Sequence, residues 1–115
     1  ATDVWLVVDN SQNDPSQRGA TFHGTGKDAA SLVWTPVDSQ TTFRLDAIWG
    51  SSADDVWAVG EGGTIRRATS TSESWSVVAS PTNAHLRGVW GSGPNDVWAV
   101  GDAGTILHWD GSRWE

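Results

Sequence analysis

Residues 45–67 read LDAIWGSSADDVWAVGEGGTIRR, and residues 86–108 read LRGVWGSGPNDVWAVGDAGTILH. The second stretch repeats the first at an offset of 41 residues: Trp49 answers to Trp90, Trp57 to Trp98, Gly60 to Gly101 and Thr64 to Thr105. A period near forty residues, made of short β-type segments, predicts a repeat architecture rather than an ordinary globular domain. Strand-favouring Val, Ile, Trp and Thr fill four pieces of each copy. The first pieces are 45–49 and 86–90, the second 55–59 and 96–100, the third 64–67 and 105–109, and the fourth 75–79. In the second piece, alternation predicts Val56 and Ala58 on one face and Trp57 and Val59 on the other.

The connections carry turn chemistry. Gly50-Ser51-Ser52-Ala53-Asp54 and Gly91-Ser92-Gly93-Pro94-Asn95 separate the first two pieces, and Gly60-Glu61-Gly62-Gly63 and Gly101-Asp102-Ala103-Gly104 the next two. Asp110-Gly111 is a hairpin signal leading to Trp114. The expected unit is an antiparallel meander of four strands. A degenerate copy precedes the two clear ones. Residues 1–8 echo the second piece, and residues 20–23 the third, with Phe22 read at the position of Ile65 and Ile106. Trp34 falls 41 residues before Trp75, but Trp5 falls 52 before Trp57, so this copy holds 11 extra residues. They are placed in the polar loop 9–18, DNSQNDPSQR, and a second exposed loop is expected at 24–30. The chain thus divides into a degenerate partial unit at 1–44, a full unit at 45–85 and a partial unit at 86–115.

Four-stranded units of this length are the blades of a β-propeller, which needs roughly 4–8 of them to close its ring. This all-β chain supplies about two and a half to three blades. An open arc leaves apolar faces and sheet edges in water. Completing blades are therefore expected from a longer parent chain or from identical subunits, with both ends of this chain paired in sheets. The first residue is Ala1 rather than Met, so a removed leader or a piece of something longer is expected.

The segment VWGSGPNDVWAVGDAGTILHWDGSRW resembles the tryptophan-rich propeller repeats of bacterial secreted or surface proteins. These are loosely similar to sialidase-type Asp-box repeats, in which an Asp-Gly turn precedes an aromatic. Here that turn is Asp110-Gly111-Ser112-Arg113-Trp114; the central copy has no Asp-Gly at 69–73 but keeps Trp75. The resemblance implies a propeller fold and a secreted or cell-surface location. It implies little about function, because propellers host enzymes, lectins and scaffolds alike. Trp109-Asp110-Gly111 and Trp114 also resemble the turn of small fucose-binding lectins, whose chains build a propeller by trimerising.

Composition narrows the classes. Nine Trp stand beside no Tyr, Met or Cys, and apolar content is 37%. A thin sheet core in which Trp carries the apolar payload follows. Fourteen acidic against seven basic residues give a net charge of −7, which argues against nucleic acid and anionic membranes as partners. Without Cys there are no disulfides, zinc–thiolate sites or thiol nucleophiles. No apolar run approaches the roughly 20 residues of a membrane span.

The repeated Trp49, Trp57, Trp90 and Trp98 are read as packing between neighbouring units. Trp109 and Trp114 flank an outer turn and are the better candidates for stacking on a sugar, although edge-strand packing also accounts for them. Asp55 and Asp96 are read as acceptors for backbone amides in the turn entering the second strand. Asp54-Asp55 is a poor acid–base pair, since adjacent strand residues point to opposite faces and paired carboxylates work about 5 Å or more apart. His23, His85 and His108 lack metal-ligand spacing, and no cofactor is expected. Arg66-Arg67 has no counterpart at Leu107-His108, and unrepeated polar residues on a repeat scaffold are where a specific function sits. The candidate ligand-binding residues are Trp109, Asp110, Trp114, Arg66 and Arg67. The expected function is a non-catalytic propeller module for binding or scaffolding; the alternative is a carbohydrate-binding lectin that closes its ring by homo-oligomerisation. A glycosidase-like enzyme ranks below both, because only Glu61, Glu73 and Glu115 are present and none repeats.

Overall fold

Alternation along DVWAVG sends Trp57 and Val59 to one side of the chain and Val56 and Ala58 to the other, and the fold is built on that split. The structure is a computed structural model that describes residues 2–8, 20–26, 33–37, 39–41, 43–52, 55–69 and 74–115. The strands are β1 (Thr2–Val8), β2 (Ala20–Gly26), β3 (Val33–Val37), β4 (Leu45–Ser52), β5 (Asp55–Gly60), β6 (Ile65–Ala68), β7 (Ser76–Val77), β8 (Leu86–Gly93), β9 (Asp96–Gly101) and β10 (Ile106–Trp109). They form three antiparallel sheets taken in chain order, β1-β2-β3, β4-β5-β6-β7 and β8-β9-β10, and none closes on itself. The protein is all-β.

β4 and β8 run three residues past their expected ends, to Ser52 and Gly93. Irregularities in register at Gly50/Ser52 and Gly91/Gly93 let each strand bend into its hairpin while staying paired. β2 continues to Gly26, so the first residues of the loop expected at 24–30 are strand. The loop at 9–18 lies outside the described residues.

The ladders correct the alignment of the degenerate copy. Trp57 is registered opposite Arg67, Trp98 opposite His108 and Trp5 opposite His23. Thr21, not Phe22, therefore takes the position of Ile65 and Ile106. Eighteen residues separate Trp5 from His23 where ten separate Trp57 from Arg67, so eight of the extra residues precede β2 and three follow it.

Trp57, Val59 and Ile65 of the second sheet, flanked by Ala47 and Trp49, pack against Leu86, Val97, Ala99, Leu107, Trp109 and Trp114 of the third. The opposite face of the second sheet, Leu45, Val56, Ala58, Ala68 and Trp75, packs with Ile48 and with Val37 of β3. Each large apolar side chain fully buried in this way stabilises by about 1.5–3 kcal/mol. The stacking has a constant sense: β5 meets β8 as β1 meets β4. Gly91 makes the approach of the sheets possible, because a Cβ there would lie 2.9 Å from the Cη2 of Trp49.

Between β5 and β6, and again between β9 and β10, the chain makes a single 3-10 turn, Glu61–Gly63 and Asp102–Gly104. The closing threonines behave alike: the Thr64 hydroxyl donates to the Glu61 carbonyl and the Thr105 hydroxyl to the Asp102 carbonyl, both at 2.7 Å. Gly62 sits at φ 68, whereas its counterpart Ala103 is held at φ 58, a left-handed conformation that strains an L side chain. Ala103→Gly is expected to raise stability by roughly 0.5–1 kcal/mol. A chemical denaturation midpoint that moves up at constant slope is the expected reading.

Candidate functional site

The paired strands assemble the same polar cluster in both clear copies. In the second sheet the Asp55 carboxylate accepts from the Ser51 hydroxyl (Oγ to Oδ2, 2.7 Å) and from Arg67 (Nε to Oδ1, 2.8 Å). In the third, the Asp96 carboxylate takes the Ser92 hydroxyl on Oδ2 and His108 Nε2 on Oδ1, the latter at 2.6 Å. Each basic group also lies on the tryptophan registered opposite it. The Arg67 guanidinium is 4.9 Å from the centroid of Trp57, and the His108 ring stacks on Trp98 at 4.2 Å. Among the described residues the carboxylates take side-chain donors; the backbone amides expected from sequence belong to the turn, part of which (53–54) lies outside the described residues. The cause is register, which brings a serine four residues upstream and a base from the next strand onto one carboxylate.

Serine, aspartate and histidine in one cluster invite comparison with a nucleophilic triad. The order is wrong for that chemistry. An activated serine gives its proton to a base that the carboxylate orients from behind. Here the carboxylate stands between serine and base, so the hydroxyl's only proton acceptor among the described residues is the carboxylate itself, and the lowered pKa of Asp96 makes it a weak base. The cluster ties three segments of a sheet together.

The five sequence candidates fall in two places. Arg67 reaches from the second sheet to the third, 5.7 Å from the Trp109 centroid. A cation held between aromatic faces in this way stabilises by about 0.5–2 kcal/mol. Arg66 reaches the other way and donates from Nε to the Ser39 carbonyl at 2.9 Å and from Nη2 to the Gln40 carbonyl at 3.0 Å. Partial burial lowers its pKa from the ordinary guanidinium value. Trp109 and Trp114 pair across the last turn, both buried. Their rings lie 5.0 and 5.3 Å from Trp57, with Trp114 edge-on to it. Asp110 organises that turn: its Oδ1 accepts the amides of Ser112 at 2.8 Å and Arg113 at 3.1 Å, while Gly111 takes φ 103.

A cleft of about 420 Å³ opens beside this turn, between Val77, Ala79 and Pro81 on the outer edge of the second sheet and Ser112, Arg113 and Trp114 of the third. It presents apolar walls with an exposed guanidinium at the rim. Arg113 donates to Glu115 at 2.7 Å in an open ion pair worth little in solvent. Among the described residues no group of three or more His, Asp or Glu is placed to hold a metal ion. Within them, too, no helix is long and apolar enough to cross a membrane.

Three carboxylates have lowered pKa values: Asp96 through the Ser92 hydroxyl and then His108, Asp102 through Arg87, and Asp110 through the amides of Ser112 and Arg113. A depressed folded-state pKa contributes stability that is fully present above the unfolded value, about 3.9 for Asp, and is lost as the pH falls through the folded value. The melting temperature is therefore expected to fall below about pH 4. Asp96→Asn is expected to flatten that fall, because one titrating contact is gone.

The chain matches no protein-family model and no curated protein.

Proposed function

We propose that the chain is a run of β-propeller blades serving as a binding or scaffolding module, without catalytic chemistry of its own. The observation that supports this most is the stacking of the sheets in chain order, with one face of the second sheet covered by the third and its opposite face packed with Val37 of the first. A blade repeated at this spacing wraps into a ring or part of one. The repeated Ser–Asp–base clusters support the non-catalytic half of the reading, since they lock strands rather than activate a nucleophile. The test is a panel of ester, glycoside and phosphate substrates offered to the purified protein. No turnover above the uncatalysed rate is expected; turnover that Asp96→Asn abolishes would contradict the reading.

The cleft beside the last turn favours a second reading, a carbohydrate-binding lectin. Its polar rim and apolar walls suit a ligand with hydroxyls on one side and C–H groups on the other. Because Trp109 and Trp114 are buried core residues, their removal would test folding rather than binding. Arg113→Ala and Ser112→Ala are the appropriate variants. On this reading a glycan array returns hits that Arg113→Ala loses while the melting temperature holds; an array without hits removes it.

A further inference from the structure

The connection that leads into the third sheet is built like the one that leads into the second. Ser39 Oγ donates to the Thr41 carbonyl at 3.0 Å, and Ser80 Oγ to the Thr82 carbonyl at 3.1 Å. The Thr41 hydroxyl accepts the amide of Phe43 at 3.0 Å, and the Thr82 hydroxyl that of Ala84 at 3.1 Å. The first connection holds a guanidinium, since Arg66 donates to the Ser39 and Gln40 carbonyls at 2.9 and 3.0 Å. The ladders place Arg66 opposite Ala58 and Leu107 opposite Ala99, so Leu107 is the counterpart of Arg66. Leucine is shorter and has no donor. That position therefore brings no cation to the second connection.

Space for one is present. Ser80 and Pro81, the counterparts of Ser39 and Gln40, line the cleft of about 420 Å³, and Trp114 stands in its opposite wall. Pro81 cannot take the φ of 60 found at Gln40, so the Ser80 carbonyl is the acceptor carried over from the first connection. An indole wall suits a guanidinium, which lies on aromatic faces as Arg67 does on Trp57. The Arg113 charge at the rim is met by Glu115, and the net charge of −7 favours a cation over an anion. The site does not depend on the edge of the third sheet being bare. In the second sheet the outer strand β7 is in place, with Val77 registered opposite Arg66, and the guanidinium still reaches both carbonyls.

We infer that the cleft binds a guanidinium, the side chain of an arginine on a peptide partner. Its donors fall to the Ser80 carbonyl, its plane to Trp114 and its stem to Val77 and Ala79. The inference rests on the binding-module reading and gives the cleft a cationic ligand in place of a sugar. It fails separately, since the substrate panel and the glycan array contain no arginine.

The experiment is an NMR titration of the 115-residue chain with N-acetyl-arginine amide, read on the indole N–H signals of Trp109 and Trp114. A Kd below about 10 mM is expected. The citrulline analogue, similar in shape but uncharged, is expected to bind at least about tenfold more weakly. Ala79→Lys, at an exposed position, sets a like charge beside the ligand and is expected to raise the Kd about tenfold; Ala79→Glu is expected to lower it. Leu107→Arg supplies the cation from within, as Arg66 does, and is expected to abolish binding. If that core position does not accept the change, the Ala79 pair decides. Arg113→Ala is expected to lower the Kd, whereas the lectin reading has it abolish glycan binding. Absence of saturable shifts in this range overturns the inference. So does equal affinity for citrulline, a Kd that the two Ala79 variants do not move in opposite directions, or binding that survives in a folded Leu107→Arg chain.

Discussion

Trp57→Ala is expected to lower the free energy of unfolding by about 3–5 kcal/mol, the cost of emptying a large aromatic site in a packed core. Trp98→Ala, the same substitution one repeat later, is expected to cost only about 1 kcal/mol. Trp57 is fully buried, with Trp109, Trp114 and Arg67 around it. Trp98 is 39% exposed and touches His108. The measurement is urea unfolding of both variants. Equal costs would show that the two faces are covered alike. Trp57→Phe refines the test. The Trp57 indole nitrogen has no hydrogen-bond partner among the described residues, so the smaller ring loses packing and no hydrogen bond.

Gly63→Ala is expected to cost about 2–4 kcal/mol, and Gly104→Ala about 1 kcal/mol. The two glycines occupy the same place in their turns, at φ 76 and φ 72, so the conformational penalty is common to both. What differs is the neighbourhood. A Cβ at Gly63 would lie 2.0 Å from the Thr82 carbonyl oxygen, in the connection that leads to the third sheet. A Cβ at Gly104 would meet nothing within 4 Å. The clash at Gly63 is with backbone, so relief requires the connection itself to move. Thermal melting of the two variants separates the terms, and equal losses would mean that φ alone sets the cost.

The repeat made most of this fold legible. Its offset of 41 residues locates strands of the second and third sheets, and the alternation in DVWAVG assigns the two faces that the cores confirm. Extra residues hid the register of the first copy, because a sequence alignment has no ladder to say which side of β2 they fall on. The site was harder to read. Ser51 and Ser92 stand four residues before Asp55 and Asp96, a repeated spacing visible in the sequence. Its third member changes identity, Arg67 in one copy and His108 in the other, and comes from the strand after the aspartate, twelve residues on. The two share only a side-chain nitrogen that donates to the carboxylate, which residue type alone does not signal. Trp109 and Trp114 flank a turn, which left sugar stacking and edge-strand packing both open in the sequence. The structure buries them because Trp109 stands where the previous copy has Ala68 and fills the space beside Trp57.

The blade reading makes a geometric demand that a face-to-face sandwich does not. In a ring the first strands crowd toward the axis and the outer strands splay apart. The cleft between the edge of the second sheet and the last turn lies where such a splay would open. Nitroxide pairs test it. One pair at Ser52 and Gly93 reports on β4 and β8, and Gly93 has open space for a side chain. The other, at Ser76 and Glu115, reports on the outer edge, where Ser76 pairs with Arg67 and Glu115 with His108. Pulsed dipolar spectroscopy is predicted to find the outer pair farther apart than the inner pair. Equal separations, or a shorter outer one, would contradict the blade arrangement.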